Sequence, residues 1–281
     1  MPKTRKTKQM DGRVVRIVQK LWVDSMELSL DLDPCIGCEL CRQVCPTEAI
    51  TLKKEDGRTV PWVDTEKCSL CGLCATFCPA DAVKLTARNT WKGTEEEVTP
   101  ILDVGGVPHF SKGMTLDVSL CPPGCCECVS ACPREALSVG EPGVVLDRRR
   151  CLSCSHCEAA CPVEGAIVVK RLFEGTISVD TGKCPVGCDM CVGSCPTHCF
   201  QEKQRGVAVD PRHCICCGAC LVACFYGAID LTRLRLLSTG GGYSAVWSRA
   251  VDRLLSENSR YLSQSEGSRK RLNALLKESK L

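Results

Sequence analysis

Residues 35–46 read CIGCELCRQVCP, four cysteines at the spacing C-x-x-C-x-x-C-x-x-x-C-P, and residues 68–79, CSLCGLCATFCP, repeat it. Six such blocks run along the chain. The first holds Cys35, Cys38, Cys41 and Cys45; the second Cys68, Cys71, Cys74 and Cys78; the third Cys121, Cys125, Cys128 and Cys132. The fourth holds Cys151, Cys154, Cys157 and Cys161; the fifth Cys184, Cys188, Cys191 and Cys195; the sixth Cys214, Cys217, Cys220 and Cys224. These account for 24 of the 27 cysteines, leaving Cys126, Cys199 and Cys216. With only five Phe, four Trp and three Tyr in 281 residues, apolar side chains alone make a poor core, so something else must fill the interior.

Chains this rich in cysteine are secreted disulfide scaffolds, zinc modules or iron–sulfur proteins. The first twenty residues carry seven Lys or Arg but no apolar stretch behind them and no paired arginines, so no export signal is read there. No run of 18 apolar residues exists, so no membrane span is expected. A cytoplasmic chain keeps its thiols reduced, which points to metal ligation.

The blocks repeat in pairs. Blocks three and five both place three residues, not two, between their first cysteines, and they start 63 residues apart, at 121 and 184. Blocks four and six also start 63 apart, at 151 and 214. Within each of these pairs 18 residues separate the blocks; blocks one and two are separated by 22. A helix-like then strand-like stretch follows the blocks (PTEAITLKK, PADAVKLTA, PREALSVGE, PVEGAIVVK). A strand ending in Asp precedes the even blocks (WVDTEKC, VVLDRRRC, VAVDPRHC). The fold class expected is α+β, built from pseudo-symmetric short strands and helices.

The spacing suits a polynuclear iron cluster. Three thiolates at i, i+3 and i+6 on a tight loop reach one side of a cubane, and a fourth further on reaches elsewhere. Zinc modules use cysteine pairs far apart, usually with histidine, and this is not that pattern. Every block keeps its second cysteine, which argues against a three-iron site.

On these motifs the chain resembles the polyferredoxins, tandem bacterial-type ferredoxin modules, over about residues 28–232. In style it is similar to the polyferredoxin subunits of archaeal formylmethanofuran dehydrogenase and heterodisulfide reductase–hydrogenase complexes. The resemblance implies three modules, six [4Fe–4S] clusters and crossed ligation. Cys35, Cys38 and Cys41 would then pair with Cys78, and Cys68, Cys71 and Cys74 with Cys45. Cys121, Cys125 and Cys128 would take Cys161, and Cys151, Cys154 and Cys157 would take Cys132. Cys184, Cys188 and Cys191 would take Cys224, and Cys214, Cys217 and Cys220 would take Cys195.

Two departures stand out: the longer first spacing of blocks three and five, where a glycine permits the bend, and Phe225 in place of proline after Cys224. Cys126 and Cys216 lie beside ligand positions, so a shifted register is open there. Cys199 reads as a small buried apolar residue. His109, His156, His198 and His213 are scattered, with His156 inside a ligand loop.

The domain reading is a basic N-terminal arm (1–27), module one (28–88), an insertion (89–116), module two (117–172), module three (173–232) and a C-terminal helical extension (233–281). Residues 231–281 hold ten Lys or Arg against four Asp or Glu, so the middle of the chain is acidic between basic ends. Trp247, Ala250, Val251, Leu254, Leu255, Tyr261 and Leu262 recur at helical spacing, continued by Leu272, Leu275 and Leu276. That apolar face must bury against this body or a partner. The Arg269–Arg271 basic triplet comes with no RNA-binding motif, so no nucleic-acid partner is expected.

No dinucleotide fingerprint, phosphate loop or catalytic grouping of His and carboxylates is present. The expectation is a non-catalytic electron-transfer subunit fixed in a large anaerobic redox complex of the molybdenum or tungsten enzyme, hydrogenase or heterodisulfide reductase type. A free multi-cluster carrier and a scaffold with structural clusters are the alternatives.

Overall fold

The computed structural model describes residues 6–20, 24–89, 112–141, 143–204, 206–237 and 245–255. The body of the insertion (90–111, with His109), Lys3, Arg5, the glycine run at 239–242 and residues 256–281 lie outside them. So do Tyr261, Leu262, Leu272, Leu275, Leu276 and the basic triplet.

The chain forms two compact units, residues 1–109 with 240–254, and 110–239 with 255–281. In the first, β1 (Lys6–Asp11), β2 (Val14–Lys20) and β3 (Asp24–Asp31) lead into block one, which contains α1 (Leu40–Gln43). β4 (Ile50–Glu55) and β5 (Arg58–Val63) form a hairpin leading to block two, with α2 (Leu73–Thr76), and β6 (Val83–Asn89) follows. β6 returns antiparallel to β3, so the sheet order is β1-β2-β3-β6. Val15, Ile17, Leu28, Leu30, Val83 and Leu85 alternate onto its buried face, as a half-buried strand requires.

The second unit repeats this order around the other four blocks. It runs β7 (Gly113–Leu116), α3 (Glu127–Ser130), β8 (Leu137–Val139), β9 (Val144–Leu146), α4 (His156–Ala160) and β10 (Ile167–Lys170). Then come β11 (Phe173–Val179), α5 (Met190–Ser194), β12 (Phe200–Glu202), β13 (Val207–Val209), α6 (Ala219–Ala223) and β14 (Ile229–Leu236). β8–β9 and β12–β13 are hairpins, while β7 pairs with β10 and β11 with β14.

The helices differ in place from the sequence expectation. They do not follow the fourth cysteine; each is a single turn holding the third cysteine, and it stops at or beside the fourth. Proline after the fourth cysteine favours the stop in five blocks, because the residue before it is pushed out of the helical region, and α6 stops the same way before Phe225, with Cys224 at ψ 106°. Cys161 and Cys195 accordingly end α4 and α5 with extended backbone, ψ 123° and 112°.

α7 (Ala245–Leu255) settles which surface the C-terminal apolar face covers, as far as Leu254. Trp247, Ala250, Val251 and Leu254 are buried. Trp247 meets Phe77 at 5.8 Å between ring centroids, and Arg253 Nη1 donates to the Cys45 carbonyl at 3.1 Å. No described helix is long and apolar enough to cross a membrane.

Candidate metal centres

An aspartate stands four residues before the first cysteine of every block: Asp31, Asp64, Asp117, Asp147, Asp180 and Asp210. Each carboxylate accepts the N–H two residues on, at 2.9–3.1 Å, an Asx turn that swings the chain from strand into ligand loop. Each aspartate's own N–H reaches across to a carbonyl after the other block of its pair. Asp31 donates to Ala82 and Asp64 to Ala49; Asp117 to Ala166 and Asp147 to Ala136; Asp180 to Ala228 and Asp210 to Cys199, all at 2.7–2.8 Å. The blocks are thus latched reciprocally, one with two, three with four, five with six. Asp64, Asp147 and Asp210 stood out in the sequence. Asp31, Asp117 and Asp180 were missed, although their offset from cysteine is the same.

Within the loops, backbone N–H groups turn toward sulfur. The residue four after the fourth cysteine donates to its Sγ: Ala49 to Cys45, Ala82 to Cys78, Ala136 to Cys132 and Cys199 to Cys195, at 3.2–3.3 Å. The residue two after the first cysteine turns left-handed in Gly37, Leu70, Ser153 and Cys216. Cys216 N–H donates from that corner to Cys214 Sγ at 3.4 Å. Blocks three and five bend at Gly124 and Gly187 instead, with φ 75° and 80°, where glycine carries no steric penalty.

Three cavities show the outcome. One is lined by Cys35, Cys38, Cys41 and Cys78, with Leu30, Leu52, Pro61 and Val83 around them. A second is lined by Cys45, Cys68, Cys71 and Cys74, and a third by Cys132, Cys151, Cys154 and Cys157. Including the space open to solvent, each spans roughly 330–390 Å³. Among the other sulfurs, Cys128 feels the charges of Cys121, Cys161 and Cys125; Cys191 those of Cys224, Cys184 and Cys188; Cys220 those of Cys217, Cys214, Cys195 and Cys191. Among the described residues no three His, Cys, Asp or Glu side chains converge tightly enough to hold a single metal ion. Four soft thiolates around a cavity fit a polynuclear iron–sulfur cluster.

Cys126 is exposed, whereas Cys199 and Cys216 are buried. Cys199 occupies the latch position that alanine fills elsewhere, and Cys216 the left-handed corner. Hydrogen bonds from Cys199, chiefly, draw the Cys195 and Cys214 thiols down, Cys214 also through Cys216, and push Cys199 itself up. His156 and His213 stack at 3.7 Å between the block-four and block-six loops, donating to the carbonyls of Thr197 (2.8 Å) and Cys154 (3.3 Å). Burial, then His156, lowers the His213 pKa.

Burial, reinforced by neighbouring thiols, pushes other ring cysteines up: Cys191 to about 11, Cys157 and Cys217 to about 12, and Cys41 and Cys74 well above the ordinary value of 9.0. They are protonated near neutral pH and must release protons to bind iron. Raising the pH therefore favours cluster assembly. Anoxic reconstitution with iron and sulfide is expected to be more complete at pH 9 than at pH 7, read as iron bound per chain. A flat or inverted profile contradicts this.

The 4Fe–4S dicluster domain family matches residues 34–82, spanning blocks one and two. A chain of the formate dehydrogenase–heterodisulfide reductase–formylmethanofuran dehydrogenase complex from Methanospirillum hungatei superposes with TM-score 0.77 at 30% identity. The alignment covers 90% of this chain and 92% of that one. The chain belongs to the polyferredoxins. This polyferredoxin is also 31% identical over 91 residues to the polyferredoxin-like subunit of an aliphatic sulfonate oxidoreductase from Pyrococcus furiosus, covering 29% of this chain and 53% of that protein. It is 34% identical over 157 residues to one of the subunits of an ion-translocating oxidoreductase complex from Methanosarcina acetivorans, covering 50% and 60%. The polyferredoxin spans about half the length of the curated relatives it matches.

Proposed function

We propose that this polyferredoxin is a non-catalytic electron-transfer subunit with six [4Fe–4S] clusters in three modules, 28–88, 117–172 and 173–232. The ligand sets are the crossed ones: three cysteines of each block with the fourth cysteine of its latched partner. It relays low-potential electrons inside a cytoplasmic anaerobic redox complex, most like one containing formylmethanofuran dehydrogenase. The observation that supports this is the reciprocal latching of three pairs of blocks, together with three cavities each lined by four cysteines drawn from both blocks of a pair. The match along nearly the whole length of a chain from such a complex supports the partner class.

Bound clusters would supply one-electron chemistry. The chain's own residues hold the sulfurs, exclude water with short apolar ladders and turn N–H groups and cations toward the loops. Arg58 Nη2 donates to the Cys35 carbonyl at 2.7 Å, and Lys6 Nζ to that of Cys68. A free carrier is the second reading, favoured by one finding. Lys6, Lys8 and the face of α7 up to Leu254 are engaged with the first unit's own backbone and side chains rather than held out for a partner.

The test is anoxic purification of the native protein, with mass spectrometry of what accompanies it. Stoichiometric molybdenum or tungsten enzyme, hydrogenase or disulfide reductase subunits support the complex. A monomer at native salt overturns it in favour of the carrier. Iron and sulfide for fewer than six clusters per chain reject the cluster count.

A further inference from the structure

Among the described residues two charged side chains are buried, Glu39 at 7% exposure and Arg233 at 5%. Glu39, in the block-one loop, forms an ion pair with Arg42 at 2.9 Å. Arg233 belongs to the second unit. It lies on β14, opposite Gly175 of β11, where the ladder register shifts. A Cβ at Gly175 would stand 2.9 Å from Cys216 Sγ and 3.2 Å from the Arg233 Cα, so the bare glycine lets the strands close on the block-six loop. The guanidinium lies 5.3 Å from the centre of the Phe173 ring. Its Nε donates to the Cys216 carbonyl at 2.8 Å and its Nη2 to the Cys217 carbonyl at 3.0 Å.

An always-charged guanidinium on β14 is thus fixed against the block-six loop, in a part of the protein where solvent screens little. Reduction adds one negative charge to a cluster, and cluster potential follows local charge, hydrogen bonding and solvent exposure. We propose that Arg233 raises the potential of the block-six cluster above the others, making it the electron-accepting end of the chain's internal relay. The proposal rests on the six-cluster reading. Arg58, at the block-one loop, is exposed, so its field is weakened by water. Arg233 acts through the cluster's surroundings, as a positioning charge.

The experiment is an EPR-monitored redox titration of the intact anoxic protein. The wild type is expected to show one component reduced before the rest, and Cys217→Ser should alter or abolish that component. Arg233→Met keeps a long apolar stem against Phe173 but removes the charge. It should lower the reduced-to-oxidised ratio of that component at least tenfold at fixed potential, about 59 mV for a one-electron couple, and leave the others in place. Arg233→Lys should restore most of the shift. An Arg233→Met protein with full iron and an unchanged titration overturns the proposal. So does a Cys217→Ser protein that loses a later-reduced component, and this comparison decides the matter even if Arg233→Met fails to load its cluster. Iron and sulfide short of six clusters in the wild type would instead reject the cluster count.

Discussion

Chelating the iron from the anoxic protein is expected to abolish cooperative folding of residues 112–237. Domains are stable by about 5–15 kcal/mol, and structural zinc in small modules contributes about 10–16 kcal/mol, so losing several clusters exceeds what the rest of the fold supplies. The architecture shows why. The four blocks there are joined by ladders as short as β8–β9 and β12–β13, three residues each, and by one-turn helices. Neither element is stable alone. Without metal the rings leave cavities lined by thiols that burial holds protonated. The first unit should lose structure last, because the β1-β2-β3-β6 sheet and α7 add apolar burial that owes nothing to metal. Far-UV circular dichroism and hydrogen exchange during chelation would follow this. A chelated protein that keeps protected amides throughout 112–237 contradicts the argument.

Cys45→Ala is expected to cost the cluster of the cavity shared by Cys45, Cys68, Cys71 and Cys74, while the cavity of Cys35, Cys38, Cys41 and Cys78 keeps its own. Iron per chain should fall by about one sixth if six equal clusters are present. The effect is local because Cys45 belongs to block one in sequence but lines the block-two cavity in space. Alanine keeps the backbone, so the Arg253 bond to carbonyl 45 survives, while the N–H of Ala49 loses its sulfur acceptor. Cys78→Ala is the mirror experiment and should empty the other site. Loss of the block-one cluster alone from Cys45→Ala would mean that ligation is not crossed.

The cysteine spacing carried much of this protein's character. A thiol every three residues, then proline, permits few arrangements, so the blocks and their repeat at 63 residues were legible without coordinates. So was the buried face of the C-terminal helix up to Leu254, because helical periodicity is a local property. Helix position was misjudged for a local reason as well: proline after the fourth cysteine reads equally as a helix start or a helix stop, and here it stops one.

Long-range pairing needed the fold. Residues 6–20 read as a basic arm, yet Val15 and Ile17 alternate inward and β2 pairs with β3. Lysines on its β1 partner reach backbone carbonyls near block two. Charge says where a segment is soluble, not which sheet edge it joins. In one dimension Cys216 left the ligand register open and Cys199 read as a small buried apolar residue; in three, Cys199 fills an alanine's latch position and Cys216 a left-handed corner. Arg233 and Gly175 lie 58 positions apart in the chain and face one another only because β11 and β14 pair across a bulge. Spacing along the chain determined which chemistry the loops can hold. Tertiary packing decided which sulfurs share a cavity and which charge is buried beside them, because those relations depend on distances between segments that local sequence does not encode.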